Sequence, residues 1–425
     1  MEIKYQGPLR GEITVPGDKS ISHRSVLLGA LAKGQTQVQG FLAAADCLAT
    51  INCLRQLGIT ITIEGTTVLI DGGGPEKLQE PGNILDCGNS GTTARLLLGI
   101  LAGLPFFSVI TGDDSLRRRP MARVTEPLQR MGGRFWGKDD GRFLPIAVKG
   151  GRLQPINYRT PVASAQLKSA LLLAGLFAEG ITTITEPHQS RDHTERMLTA
   201  FGAEIWQKDT TVSLTGRPEL WGRNISVPGD ISSAAFLLVA ASIVPGSDLM
   251  LRNVGVNPTR TGILDVLQQM GARIKVENSR VLNGEPVADL HVQSADLQGV
   301  EVGGALIPRL IDELPVLAVA ALFARGRTVV KDAQELRVKE TDRIAAVAEE
   351  FAKLGAKVLP TDDGFVIEGE QILTGGTADS RGDHRMAMAL GIAALRSAAP
   401  VKIKNHACVS VSFPDFWQAL TKLQQ

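Results

Sequence analysis

The residues able to do chemistry gather where the sequence opens helices. Gly17-Asp18-Lys19-Ser20-Ile21-Ser22-His23-Arg24 sets Lys19 at the mouth of a helix beginning near Ser20, with Arg24 one turn on. Helix N-termini present free N–H groups and the positive end of the macrodipole, so they bind anions. Gly88-Asn89-Ser90-Gly91-Thr92-Thr93-Ala94-Arg95 opens a second helix, and Gly91 lets a ligand approach the backbone closely. Ser164-Ala165-Gln166 opens a third and offers a hydroxyl and an amide. Taken singly, each reads first as an ordinary helix cap. Arg117-Arg118-Arg119-Pro120 lies in a loop; Arg117 and Arg118 read as solvated charge and Arg119 as a candidate ligand. Lys339-Glu340-Thr341-Asp342-Arg343 reads as the start of a helix with core face Ile344, Val347, Phe351 and Leu354. There Lys339 and Arg343 are i,i+4 like charges, unfavourable unless an anion or Glu340 relieves them. Asp383-His384-Arg385 opens one more helix. In Ile307-Pro308-Arg309-Leu310-Ile311-Asp312-Glu313-Leu314-Pro315 the acids sit in an apolar run. A carboxyl there with a raised pKa serves as a proton carrier, or it caps a helix; this segment alone leaves both open.

These mouths must be held by a repeated scaffold. A helical pattern ending in Gly, then a hairpin-like stretch, recurs at Gly58, Gly132, Gly202, Gly271 and Gly355, with spacings of 74, 70, 69 and 84 residues. Each Gly reads as a left-handed helix stop. The unit is strand–helix–strand–helix–strand–strand (βαβαββ), about 70 residues long by these spacings, with helix starts near Asp18, Asn89, Ser164, Asp230, Pro308 and Asp383. The sixth copy ends in a helix at Phe416–Leu423 without its hairpin. Ile3-Lys4-Tyr5, the turn signal Gly7-Pro8 and Glu12-Ile13-Thr14-Val15 are expected to supply that hairpin from the N-terminus. Ile13-Thr14-Val15-Pro16-Gly17-Asp18 recurs as Ile225-Ser226-Val227-Pro228-Gly229-Asp230. This duplication predicts two domains of three units each, 18–228 and 1–17 with 229–425, joined by paired crossings.

Composition narrows the class. The 425 residues carry 45 Lys plus Arg against 44 Asp plus Glu, a net charge of +1, so overall charge gives no reason to expect nucleic acid or an anionic membrane as partner. No apolar run is long enough for a transmembrane helix, and the first residues lack a signal peptide's apolar segment. Cys47, Cys53, Cys87 and Cys408 show no Cys-x-x-Cys spacing, which speaks against zinc and a disulfide framework and for a reducing cytoplasm. Walker A, Gly-x-Ser-x-Gly and His-Glu-x-x-His motifs are absent, and the six His are scattered.

In this order along the whole chain, Pro16–Arg24, Gly88–Thr92, Arg119-Pro120-Met121, Ser164-Ala165-Gln166, Val338–Arg343 and Gly382–Arg385 resemble the 5-enolpyruvylshikimate-3-phosphate synthase family. The resemblance implies an α/β fold of two domains, each an inside-out α/β barrel of three βαβαββ units, six repeats in all, closing on the substrates in the cleft between them. It implies transfer of the enolpyruvyl group of phosphoenolpyruvate to shikimate 3-phosphate, with release of phosphate. Asp312 is then the base, Glu340 the acid, and Lys19 stabilises charge. Lys19, Ser20, Arg24, Ser164, Ala165, Gln166, Asp312 and Lys339 match shikimate 3-phosphate contacts, and Arg191 is a candidate compensating one. Lys19, Gly91, Arg119, Gln166, Arg343 and Arg385 match phosphoenolpyruvate contacts. Arg95 adds a further cation. No metal or organic cofactor, no nucleic acid and no membrane is implied; a cytoplasmic monomer, inhibited by glyphosate at the phosphoenolpyruvate side, is expected.

The chain departs from the pattern at Glu335, where some members have Asn, and at Val411, where some have Lys, each putting one substrate contact in question. The nearest rival is the UDP-N-acetylglucosamine enolpyruvyl transferase. That family uses a Cys in the loop occupied here by Gly112-Asp113-Asp114-Ser115, and Asn where this chain has Ser20. RNA 3′-phosphate cyclases share related units but need a nucleotide-reactive His, a setting not found here. A repeat scaffold without chemistry is the non-enzymatic rival, since fold does not fix function.

Overall fold

The structure is a computed structural model that describes residues 1–424. The chain divides into two compact units. A central unit comprises Gly17–Val227 with the turn Leu282–Glu285; a terminal unit comprises Met1–Pro16, Pro228–Val281 and the chain from Pro286 on. Each has its own aliphatic core.

Six small sheets carry the fold. In the central unit Leu85–Asp86 runs parallel to Phe107–Thr111, which pairs antiparallel with Phe143–Lys149, and that strand with Arg134–Lys138. The same pattern is repeated by Asn157–Arg159, Ile181–Thr185, Thr211–Thr215 and Ile205–Lys208. Helices without a polar face are buried: every residue of Ile231–Ile243 is buried, as a helix needing no solvent face should be. Gly58, Gly132, Gly202, Gly271 and Gly355 all have φ between 90° and 106°, the left-handed stop that releases each amphipathic helix into its following segment.

The N-terminus departs from the expected hairpin. Glu2–Ile3 does join the sixth sheet, antiparallel to Val401–Lys404. Arg10–Thr14 instead runs parallel to Asp248–Gly255 in the fourth sheet. Asn224–Ser226 likewise runs parallel to Lys33–Gln39 in the first sheet. Every four-stranded sheet begins with a parallel edge strand, and the first and fourth have no preceding repeat within their own unit to donate one. The duplicated phrases fill those two edges. Leu9, fully buried with its N–H on Ser247 Oγ at 2.9 Å, separates the two N-terminal strands and anchors them to different sheets.

Helix entry is set by short polar caps. Asp18 accepts from the Ile21 N–H, Ser90 from Thr93, Ser164 from Leu167, Asp230 from Ser232 and Asp383 from Arg385. The fifth entry is broken: Ile307–Leu310 and Leu314–Phe323 are separate helices, and Asp312 lies in the turn between them. Pro315 in the first turn of the second helix suits a fresh start. Lys339 and Arg343 are not helical neighbours. The helix begins at Arg343 with Asp342 as cap, because Asp342 accepts from both Ile344 and Ala345, and Lys339 follows the short turn Gln334–Val338.

Deleting residues 1–12 removes the edge strand beside Asp248–Gly255 and the Leu9 anchor. Limited proteolysis should then cut within 228–425 well before 17–227; first cuts within 17–227 would contradict this pairing.

Candidate functional site

In the central unit the first two helix mouths carry cations on polar tethers, and the third offers a hydroxyl and an amide. Lys19, in the first helical turn, bonds Asp46 Oδ2 at 3.0 Å. Asp46 is itself 7% exposed, so the ammonium is pinned by a carboxylate that gives up most of its water. Ser20 is half-buried beside it, and its carbonyl accepts from Arg24 Nη1 at 3.0 Å. Arg24 is buried; Nε donates to Thr194 Oγ1 at 2.6 Å and Nη2 to Ser169 Oγ at 2.7 Å. His23 is fully buried with Nδ1 at 2.7 Å from Thr50 Oγ1, and burial, then Lys19 and Arg24, push its pKa well below the usual value. Its surroundings thus disfavour the charged form.

Gly91, Arg95, Arg119 and Gln166 form one patch. Arg95 Nη1 donates to Gln166 Oε1 at 2.7 Å, and Gln166 Nε2 donates to Thr92 Oγ1 at 3.0 Å. Arg119 is buried, its Nη2 on Asn89 Oδ1 at 2.7 Å and Ser115 Oγ at 3.0 Å, whereas Arg117 and Arg118 are exposed. A Cβ on Gly91 would lie 2.8 Å from Arg95 Nη1 and 3.5 Å from Arg119 Nη1, so the missing side chain lets two guanidinium groups converge on a helix N-terminus. Ser164 and Ala165 start the third helix, and the Ser164 N–H donates to Glu186 Oε1 at 3.1 Å. Arg191 is half-buried in the segment just before the His193–Phe201 helix.

In the terminal unit a second cluster surrounds Asp312. Lys339 Nζ lies 3.5 Å and Arg343 Nη1 3.3 Å from Oδ1, and Arg385 Nη2 lies 3.6 Å from Oδ2. The apolar surroundings expected for this acid are thus replaced by three cations drawn from distant segments. Glu340 bonds Arg343 Nη2 at 2.8 Å. Arg343 is fully buried and also bonds Asp383 at 2.8 Å. Burial disfavours its charge, but Asp383, Glu340 and Asp312 outweigh this and raise the guanidinium pKa further. Asp383 does two things at once, capping the His384–Ala394 helix and holding Arg343.

The structure therefore gathers Gly91, Arg119 and Gln166 with Arg95 in one unit, and Asp312, Lys339, Glu340, Arg343 and Arg385 in the other. Asp46 and Glu186 carry no local mark in the sequence, since their partners Lys19 and Ser164 lie 27 and 22 residues away. Asp383 was visible as part of a helix-opening phrase, but not as an anchor for Arg343. Glu335 lies in the turn before Lys339, and Val411 in the short turn His406–Val411. Among the described residues no group of three or more His, Cys, Asp or Glu is placed to hold a metal ion, and no helix is long and apolar enough to cross a membrane.

Cations near helix mouths, paired with buried carboxylates, sit on a mixed α/β scaffold of small repeated sheets. The comparisons name the family. The EPSP synthase (3-phosphoshikimate 1-carboxyvinyltransferase) family model matches residues 3–420. A 3-phosphoshikimate 1-carboxyvinyltransferase of Desulforudis audaxviator is 60% identical over 417 residues, 98% of this chain and 97% of its own. One from Brevibacillus brevis is 54% identical over 425 residues, covering both chains completely. The solved EPSP synthase of Acinetobacter baumannii superposes with a TM-score of 0.89 at 45% identity, covering 100% of this chain and 98% of that one. The chain belongs to the EPSP synthase (3-phosphoshikimate 1-carboxyvinyltransferase) family.

Two outcomes follow. Arg343→Met leaves the fully buried Asp383 carboxylate without its guanidinium, and breaking a buried pair on one side costs about 3–5 kcal/mol. Urea unfolding should show that loss; a change under about 1 kcal/mol would show that Asp383 does not depend on Arg343. Gly91→Ala should push Arg95 Nη1 away from Gln166 and raise the apparent KM for phosphoenolpyruvate about 5- to 150-fold, the range of a 1–3 kcal/mol overpacking cost. An unchanged KM would show that Gly91 does not face phosphoenolpyruvate.

Proposed function

We propose that the cation clusters of the two units serve one reaction, the enolpyruvyl transfer of this family, and that the residues in them divide between its two substrates. The activity is the transfer of the enolpyruvyl group of phosphoenolpyruvate to the 5-hydroxyl of shikimate 3-phosphate with release of phosphate. Each substrate carries a phosphate and a carboxylate. Two like unit charges 4 Å apart cost about 4 kcal/mol at an effective dielectric near 20, so bringing the substrates together demands several fixed cations. Lys19, Arg24, Arg95, Arg119, Lys339, Arg343 and Arg385 provide them. The observation that carries the reading is the Asp312 cluster: one carboxylate within 4 Å of three cations, with a second acid, Glu340, bonded to the same arginine.

In this reading Lys19, Ser20, Arg24, Ser164, Ala165, Gln166, Arg191, Asp312 and Lys339 contact shikimate 3-phosphate. Lys19, Gly91, Arg119, Gln166, Arg343 and Arg385 contact phosphoenolpyruvate. A proton passes from Glu340 to the enol methylene, making C2 electrophilic. Asp312 takes the 5-hydroxyl proton as that oxygen attacks C2. Glu340, now a carboxylate, takes back a methyl proton to restore the double bond as the C–O bond to phosphate breaks, and inorganic phosphate leaves with that bond's electron pair. Lys19 stabilises the charge that develops on the oxygens. The fold is read as two domains, each an inside-out barrel of three βαβαββ units, and the chain as a cytoplasmic monomer needing no metal or organic cofactor.

Mixing phosphoenolpyruvate with shikimate 3-phosphate should release phosphate, and UDP-N-acetylglucosamine as acceptor should not support it. Release with the nucleotide sugar alone would transfer the reading to the rival enolpyruvyl transferase. Asp312→Ala should lower kcat by about 10²–10⁴-fold, the size of general acid–base catalysis. If only KM rises, Asp312 binds substrate and the base is elsewhere.

A further inference from the structure

Behind the third helix mouth lies a buried charge triad that the reaction does not use directly. Lys168, 2% exposed, bonds Glu186 Oε2 at 2.8 Å and Glu195 Oε1 at 2.7 Å, and both acids are buried. Glu186 does more than neutralise the ammonium. Its Oε1 accepts the Ser164 backbone N–H at 3.1 Å; its Oε2 accepts the Ser190 N–H at 3.2 Å and the Ser190 hydroxyl at 2.9 Å. One carboxylate thus ties the segment that ends in Ser164-Ala165-Gln166 to the segment that leads into Arg191. Lys168 reinforces the tie, with its Nζ 3.4 Å from the Ser190 carbonyl.

A neighbouring residue on each helix, Ser169 after Lys168 and Thr194 before Glu195, repeats the link. Ser169 Oγ and Thr194 Oγ1 are 2.6 Å apart, and Arg24 donates to both. Glu195 reaches neither loop by a hydrogen bond of its own in this network; it acts on the ammonium. Burial is the main influence on Glu195 and pushes its pKa up, which Lys168 partly offsets. A buried carboxylate stripped of water is stabilising only where its hydrogen bonds are complete, and Glu186 meets that condition by collecting the backbone of two loops.

We infer that Glu186, braced by Lys168, is a positioning residue that sets the Ser164–Gln166 mouth and the Ser190-Arg191 segment in register for the acceptor substrate. This rests on the reading of Ser164, Gln166 and Arg191 as shikimate 3-phosphate contacts. Glu186→Gln keeps one acceptor oxygen but turns an NH₂ group towards either the Ser164 N–H or the Ser190 N–H. Glu195→Gln weakens the same ammonium from the other side and disturbs no backbone bond to the two loops. It is the control for a purely structural role.

Steady-state kinetics on both variants decide the matter. Glu186→Gln should raise KM for shikimate 3-phosphate about tenfold or more, in line with the cost of small misplacements, and change KM for phosphoenolpyruvate less than about threefold. Glu195→Gln should leave both constants within about twofold of wild type, even where it lowers Tm as much. Glu186→Asp, which restores the charge, should recover part of the loss. Amide hydrogen exchange reads the geometry without substrate: peptides covering 160–166 and 188–192 should exchange faster in Glu186→Gln only. Equal effects of Glu186→Gln and Glu195→Gln on KM and exchange, or none in either, would overturn the inference. A wild-type protein inactive on shikimate 3-phosphate would sink the substrate reading instead, and the exchange comparison would then decide the positioning claim by itself.

Discussion

The structure depends on keeping like charges close without letting them fly apart. Lys339, Arg343 and Arg385 all lie within 4 Å of Asp312, and Arg343 is fully buried. No such cluster survives on its own, because a buried charge is tolerated only when paired and hydrogen-bonded. Asp383, Glu340 and Asp312 supply the opposite charge for Arg343, and Asp46 does the same for Lys19. The carboxylates therefore make the cation sites possible, and under the proposed function the substrate anions compete for the same donors.

That competition explains why the fold invests in helix mouths. Each is entered through a side-chain cap that fixes where the helix begins to within a residue, and Lys19, Arg95, Gln166 and Arg385 follow within about a turn. The exception is the fifth entry, where two helices meet at a turn and Asp312 is released from helical geometry to meet cations from Val338–Arg343 and Gly382–Arg385. In the central unit Gly91 plays the complementary part, since a single methyl group there would occupy the space the guanidinium of Arg95 uses.

What the sequence could reveal followed from the range of the interaction. Helix stops are local, so Gly58, Gly132, Gly202, Gly271 and Gly355 could be read directly, and so could the caps at Asp18, Ser164 and Asp383. Strand pairing is not local. Arg10–Thr14 finds its partner about 240 residues on, and no feature of its own residues distinguishes the fourth sheet from the sixth. The same limit hid the ring of cations around Asp312, whose sequence neighbours are apolar, and the Lys168–Glu186–Glu195 triad, whose members look like separate charges on separate elements. Arg119 could be told from Arg117 and Arg118 by the Pro that follows it within a motif, and burial separates the same residue from the same two neighbours.

The central proposal is that the clusters of the two units serve one reaction. The most direct test is a double-mutant cycle between them, comparing kcat/KM for Lys19→Met, Asp312→Asn and the double variant. Groups that act as a unit are grossly non-additive. The account predicts that each single variant loses most of the activity and that the double variant falls little further than the worse single one. Losses that multiply, or a Lys19→Met enzyme that retains near-full turnover, would contradict it.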